Sequence, residues 1–232
     1  MIGLFVVARI GLVYCGHWFP LRRSRDKGAL PAMIPAASKA KSSGALAGLL
    51  AAALFGLSAP LAKLLLADVR PVTLAGLLYC GAGIAISIAM LIRRSTPEAA
   101  LKRADFGPLL GVVVAGGILA PILMLVGLDR VRGVVGSLLL NLEAPFTILL
   151  AVVVFREHLG RRTALAASFV LLGAGVLKTG PGEVAADAVG VLCITGACLC
   201  WGLDNNLTQR LSLRDPFAVV RVKTLAAGMV NL

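Results

Sequence analysis

Two acids stand deep inside apolar runs of this 232-residue chain, Glu143 and Asp204. An ionisable side chain in hydrocarbon costs about 2.5–3.5 kcal/mol on insertion scales, so an acid kept there is a candidate for function. Glu143 lies ten residues past Gly133, where its run opens. At about 1.5 Å per helical residue that is about 15 Å deep, near the middle of a bilayer core. Asn141 precedes it by two residues and Pro145 follows by two. A proline at 145 cannot bond the carbonyl of Asn141, which loosens a polar segment at mid-membrane depth. Such an acid can take up a proton or meet a cationic group on a substrate. The competing reading is a structural acid satisfied by a neighbouring helix.

Asp204 heads the run Asp204-Asn205-Asn206, seven residues before Leu211, and Lys223 lies seven residues after Pro216. Both are about 10 Å from the same face. Equal depth on consecutive helices predicts an Asp204–Lys223 ion pair, a structural or gating pair rather than a substrate ligand. Asn205, Trp201 and Tyr79 are further candidates for binding or coupling. Trp201 is too deep for an interfacial anchor, and Tyr79 and Ser58 can equally bind helix to helix. The cysteines form no CxxC pair, and no phosphate-binding loop, zinc motif or catalytic triad is present. The sequence therefore suggests neither metal nor cofactor, and no enzyme.

The elements that would carry these residues are hydrophobic helices. Apolar residues make up 59% and charged residues 15%, and mean hydropathy is +0.93. Soluble domains carry about 25% charge, so lipid must cover much of the surface. Runs of about 20 apolar residues, the length that crosses hydrocarbon, fall at Gly44 to Leu66, Pro71 to Ile92, Phe106 to Leu128 and Gly133 to Phe155. Thr163 to Leu177, Ala188 to Leu211 and Pro216 to Leu232 follow. The fold class is thus all-α, a polytopic bundle of about seven spans. Pro71 and Pro216 stand at first turns, where a helix tolerates proline best.

The net charge of +12 lies in the short gaps between runs, which favours retention at a membrane face over binding of nucleic acid. Alternate gaps, with the leader counted from Arg22 to Lys41, hold fifteen Lys and Arg, and the other gaps hold four. The basic set predicts a cytoplasmic N-terminus in a plasma membrane, bacterial inner membrane being the expected location. Residues 1–43 form a leader that is apolar but interrupted by Arg9, without a clear signal-peptide pattern. It is expected to be disordered or to precede a true start at Met33.

The first and sixth runs resemble each other. Gly44, Gly56, Leu57 and Leu61 map onto Gly190, Gly202, Leu203 and Leu207 at one offset, and Pro71 maps onto Pro216 after a one-residue slip. The repeat unit would hold five spans, residues 44–178, and a second would begin at 187–232 with two. An odd number of spans inverts the second copy, the arrangement of many secondary transporters with a site between the halves. The expectation is a ten-span protein of two inverted repeats, of which this chain holds the first and the start of the second.

These residues resemble the EamA-type branch of the drug/metabolite transporter superfamily. The resemblance is strongest over PFTILLAVVVFREHLGRRTALAASFVLLGAGVL, where Pro145, Glu157, Gly173 and Gly175 occupy the places of the family pattern. Lys63 and the pair Trp201-Gly202 add to it. The resemblance implies ten helices, inverted repeats and carriage of small metabolites or drugs, often outward. The leading function is therefore a gradient-driven secondary carrier for a small-molecule substrate, with the lipid bilayer and a second copy of the chain as candidate partners. A non-transporting scaffold and a membrane-embedded enzyme are the alternatives, the enzyme poorly served by two isolated acids.

Overall fold

The computed structural model describes residues 37–92, 99–156, 158–179 and 187–232. Among these, seven helical rods follow one another with no strand. They are α1 (Ala37–Leu65), α2 (Pro71–Ile92), α3 (Arg103–Arg130), α4 (Gly133–Val153), α5 (Arg161–Thr179), α6 (Ala188–Arg210) and α7 (Pro216–Asn231). The polytopic helical class read from the sequence is the class observed. Four rods, α2, α3, α4 and α6, are long and apolar enough to cross a membrane. α1 begins at Ala37, seven residues before the expected Gly44. The rest of the leader, residues 1–36, lies outside the described residues.

Local chemistry sets the helix starts. Pro71 and Pro216 open α2 and α7, where a missing N–H costs nothing. Asp187 caps α6 by accepting from the Val189 N–H at 3.1 Å. Asp215 caps α7 by accepting from Phe217 N–H at 2.9 Å and Ala218 N–H at 3.4 Å. α3 and α4 are not uniform. α3 widens to a π-helix over Val112–Leu119, and α4 tightens to a 3₁₀ turn at Leu140–Leu142.

α6 lies in the groove between α3 and α4, α7 packs on α2 and α3, and α1 leans on α3 and α4. The largest apolar core joins Ala59, Leu74, Met124, Leu125, Ala197 and Trp201 from α1, α2, α3 and α6. Outward surfaces are equally apolar: Leu64 is 70% exposed, Leu91 84% and Phe169 72%. So much exposed hydrocarbon suits lipid and not water. The bundle is tied at both ends. At one, Lys63 Nζ donates to the Asp129 carbonyl at 2.6 Å and Arg130 pairs with Asp187 at 3.0 Å. At the other, Arg214 Nε meets Asp105 Oδ2 at 2.6 Å, and the Asp215 N–H donates to the Ala99 carbonyl at 3.1 Å.

The α2–α7 crossing has an internal reciprocity. A Cβ added at Gly83 would lie 2.5 Å from Leu225 Cδ2, and one at Gly228 would lie 2.6 Å from Cys80 Sγ. Adding 145 turns 83 into 228 and 80 into 225, the same shift that takes Pro71 to Pro216. The two contacts therefore exchange under that shift, as they do across a two-fold axis. Ala82 and Ala227, also 145 apart, are both buried at this crossing. Small residues let the two backbones approach closely where no hydrophobic force drives association.

Candidate functional site

The polar residues inside the bundle gather on two faces of α6. On the face toward α4, Asn205 Nδ2 donates to Glu143 Oε1 at 2.8 Å and to Thr147 Oγ1 at 3.0 Å. Thr147 Oγ1 in turn donates to the Glu143 main-chain oxygen at 2.8 Å. Glu143 and Thr147 stand four residues apart, so both meet α6 from one side of α4. Asn206 Nδ2 donates to the Thr147 carbonyl at 3.0 Å and to the Gly202 carbonyl at 2.8 Å. Gly202 permits this approach. A Cβ there would lie 3.0 Å from Thr147 N and 3.1 Å from the Phe146 carbonyl carbon.

On the other face, Lys223 Nζ of α7 donates to Asp204 Oδ2 at 2.6 Å. Asp204 is 1% exposed, and Thr208 Oγ1 donates to its second oxygen at 3.3 Å. The carboxylate is pressed against Gly116 of α3, where any Cβ would collide with Asp204 Cγ. Here α3 is π-helical, and a wide turn releases carbonyls from the regular ladder. The Gly116 carbonyl accepts from Tyr79 O–H at 2.6 Å and from Trp201 Nε1–H at 3.3 Å. The Gly117 carbonyl accepts from Asn231 Nδ2 at 3.3 Å. α2, α3, α6 and α7 thus meet at one polar turn.

A profile of the EamA-like transporter family matches residues 42–179, more than half of the chain. The chain belongs to the EamA-like transporter family. An "uncharacterized transporter" of Methanothermobacter thermautotrophicus (strain Delta H) is 33% identical over 195 residues, covering 77% of this chain. The chain spans 57% of that relative's length. No solved structure matches it. The family match and the apolar helices make this an integral membrane protein.

Within this EamA-like chain the sequence candidates separate. Glu143 and Asn205 are brought together; Asp204 and Lys223 are paired; Tyr79 and Trp201 converge on one carbonyl. Asn141 joins neither face. It is exposed, and its amide donates to the Leu138 carbonyl at 3.0 Å and the Ser137 carbonyl at 3.4 Å on its own helix. Where Pro145 is expected to loosen the helix, α4 instead tightens to the 3₁₀ turn at Leu140–Leu142, just before Glu143. Pro145 is buried. Gly173 faces open space, Gly175 lies within α5, and Glu157 lies outside the described residues.

Sequence reasoning missed Thr147 and Gly116. Thr147 could have been found, since it stands one helical turn after Glu143. Gly116 carried no signal beyond a Gly-Gly pair. No group of three metal-ligating side chains occurs among the described residues. At the bundle's end, hydrogen bonds from Arg130 and then from the Val189 N–H hold Asp187 below the usual carboxylate range. The α4–α6 face offers a carboxylate at mid-helix with an amide donor on it, chemistry suited to holding and releasing a proton.

Proposed function

We propose that this EamA-like chain serves a secondary transporter that moves a small metabolite or drug-like molecule out of the cell, driven by a gradient. Its architecture is two inverted five-helix repeats, the first at 44–178 and the second beginning at 187–232. The exchange of the Gly83–Leu225 and Gly228–Cys80 contacts under a 145-residue shift supports that reading. The protein lies in the bacterial inner membrane with its N-terminus cytoplasmic, in keeping with the lysine and arginine bias.

One observation carries the functional reading: Glu143, ten residues into α4, is held by Asn205 of α6 at 2.8 Å. A carboxylate at that depth, contacting the first helix of the second repeat, lies where inverted-repeat carriers place substrate and ions. The test is Glu143→Gln in the full-length gene product, reconstituted in liposomes and assayed for net movement of labelled metabolites driven by an imposed proton gradient. Gln keeps the volume and one carbonyl acceptor but cannot ionise. The expected result is loss of net, gradient-driven transport with normal expression. Wild-type net transport would end this reading of Glu143.

A further inference from the structure

Asn205 has one polar atom with no partner. Its Oδ1 is buried and, among the described residues, accepts no hydrogen bond. The cause is the commitment of its neighbours. Thr147 has a single hydroxyl hydrogen, given to the Glu143 main-chain oxygen. Its oxygen can therefore only accept from Asn205, so Asn205 must turn its NH₂ toward Thr147 and Glu143. The amide oxygen is forced to the other side, where it is buried with its hydrogen bond unmade, an unfavourable state. This arrangement suits a Glu143 that only accepts, the ionised form.

A proton from solvent on the Glu143 carboxylate reverses each of these demands. The new carboxyl O–H needs an acceptor. Turning the Asn205 amide over supplies Oδ1, and the Thr147 hydroxyl can swing from the main-chain oxygen to donate to the same atom. No covalent bond changes beyond the added O–H. We propose that Asn205, set by Thr147, is the positioning residue that reads the protonation state of Glu143, its outward face changing from acceptor to donor. A ligand group that donates a hydrogen bond, an amine or a hydroxyl, then satisfies Oδ1 only while Glu143 is ionised. Proton and ligand exclude one another, as exchange transport requires. This inference rests on the reading of Glu143 as the coupling acid.

Among the described residues, ionisable groups of the neighbouring helices hold contacts outside the Glu143–Asn205–Thr147 cluster. Asp204 is held by Lys223 on the face of α6 toward α7. Cys198, beside Glu143, directs its thiol at the Leu139 carbonyl at 3.6 Å. Lys63 of α1 bonds the Asp129 carbonyl, and Arg161 and Arg162 are exposed at the start of α5.

The test reads Glu143 directly and needs no transport. Dicyclohexylcarbodiimide modifies protonated carboxyls in apolar surroundings, and mass spectrometry of membranes holding the full-length protein gives its rate at Glu143, with Glu143→Gln as background. At a fixed neutral pH, Asn205→Leu and Thr147→Val should each label about tenfold faster, since each removes support for the ionised acid. The double variant should label no faster than either single, because the residues act as one unit. Thr147→Ser, which keeps the hydroxyl, should label like wild type. Wild-type labelling of Thr147→Val, or singles whose effects multiply in the double, would overturn the relay. Gradient-driven transport by Glu143→Gln fails or succeeds independently, so the coupling reading and the relay can fall separately.

Discussion

Removing Lys223 tests how the bundle tolerates a buried acid. Asp204 is 1% exposed and its carboxylate has Lys223 Nζ at 2.6 Å, Thr208 Oγ1 at 3.3 Å and the glycine face of α3 behind it. Lys223→Met retains most of the side-chain length while deleting the charge. Breaking a buried pair by removing one member costs about 3–5 kcal/mol, because the other charge is left without compensation. Asp204 has little room to relocate: Gly116 blocks one side, and the Thr208 hydroxyl, at 3.3 Å, supplies a single hydrogen bond and no countercharge. Lys223→Met should therefore lower stability by about 3 kcal/mol or more. Asp204→Asn combined with Lys223→Met should recover most of that loss, since neither charge then remains. The measurement is denaturant unfolding of purified protein in detergent, with the two singles and the double forming a cycle. A Lys223→Met protein within about 1 kcal/mol of wild type, with no recovery in the double, would refute the view that the pair neutralises a trapped charge.

Two further outcomes follow from packing and charge. Gly228→Ala should destabilise by about 1–3 kcal/mol through overpacking against Cys80, whereas Gly81→Ala, facing open space one residue from Cys80, should be near neutral; equal effects would argue against a tight α2–α7 crossing. Single cysteines in place of Asp187 and Arg214, on a cysteine-free background, should differ toward an impermeant maleimide in intact cells. Position 187 should react and 214 should not, and the reverse would invert the topology.

The helices were legible because hydrocarbon demands long apolar runs, and a run is a property of sequence alone. The depth of Asp204 and Lys223 was legible for the same reason: rise per residue converts position into height, and the two side chains lie 2.6 Å apart. Direction around the helix was not legible. Asn141 and Glu143 differ by two residues, about 200° of turn, so one faces outward and the other faces α6. On a helix apolar all round, no hydrophobic stripe announces which is which. The π-helical turn was hidden for a further reason. Val112–Leu119 reads as an ordinary apolar helix, and the donors that occupy its freed carbonyls, Tyr79, Trp201 and Asn231, come from three other helices.

The position of α6 links the two polar networks. Asp204 and Asn205 are consecutive, about 100° apart on the helix, so one addresses α7 and the π turn while the other addresses Glu143 and Thr147. A rotation or shift of α6 that lengthens the 2.8 Å contact to Glu143 must also move the 2.6 Å contact to Lys223. The Asp204 contact is the dearer to break, being charged on both sides and buried. It therefore fixes the register in which Asn205 meets Glu143, and the proton uptake proposed for Glu143 would act against a helix that is already anchored. A side chain such as an amide can turn over within that register, whereas a whole-helix movement has to release the ion pair. The cheaper response to a proton at Glu143 is thus local, at Asn205, and a larger movement of α6 needs a ligand whose differential binding offsets the Asp204–Lys223 contact.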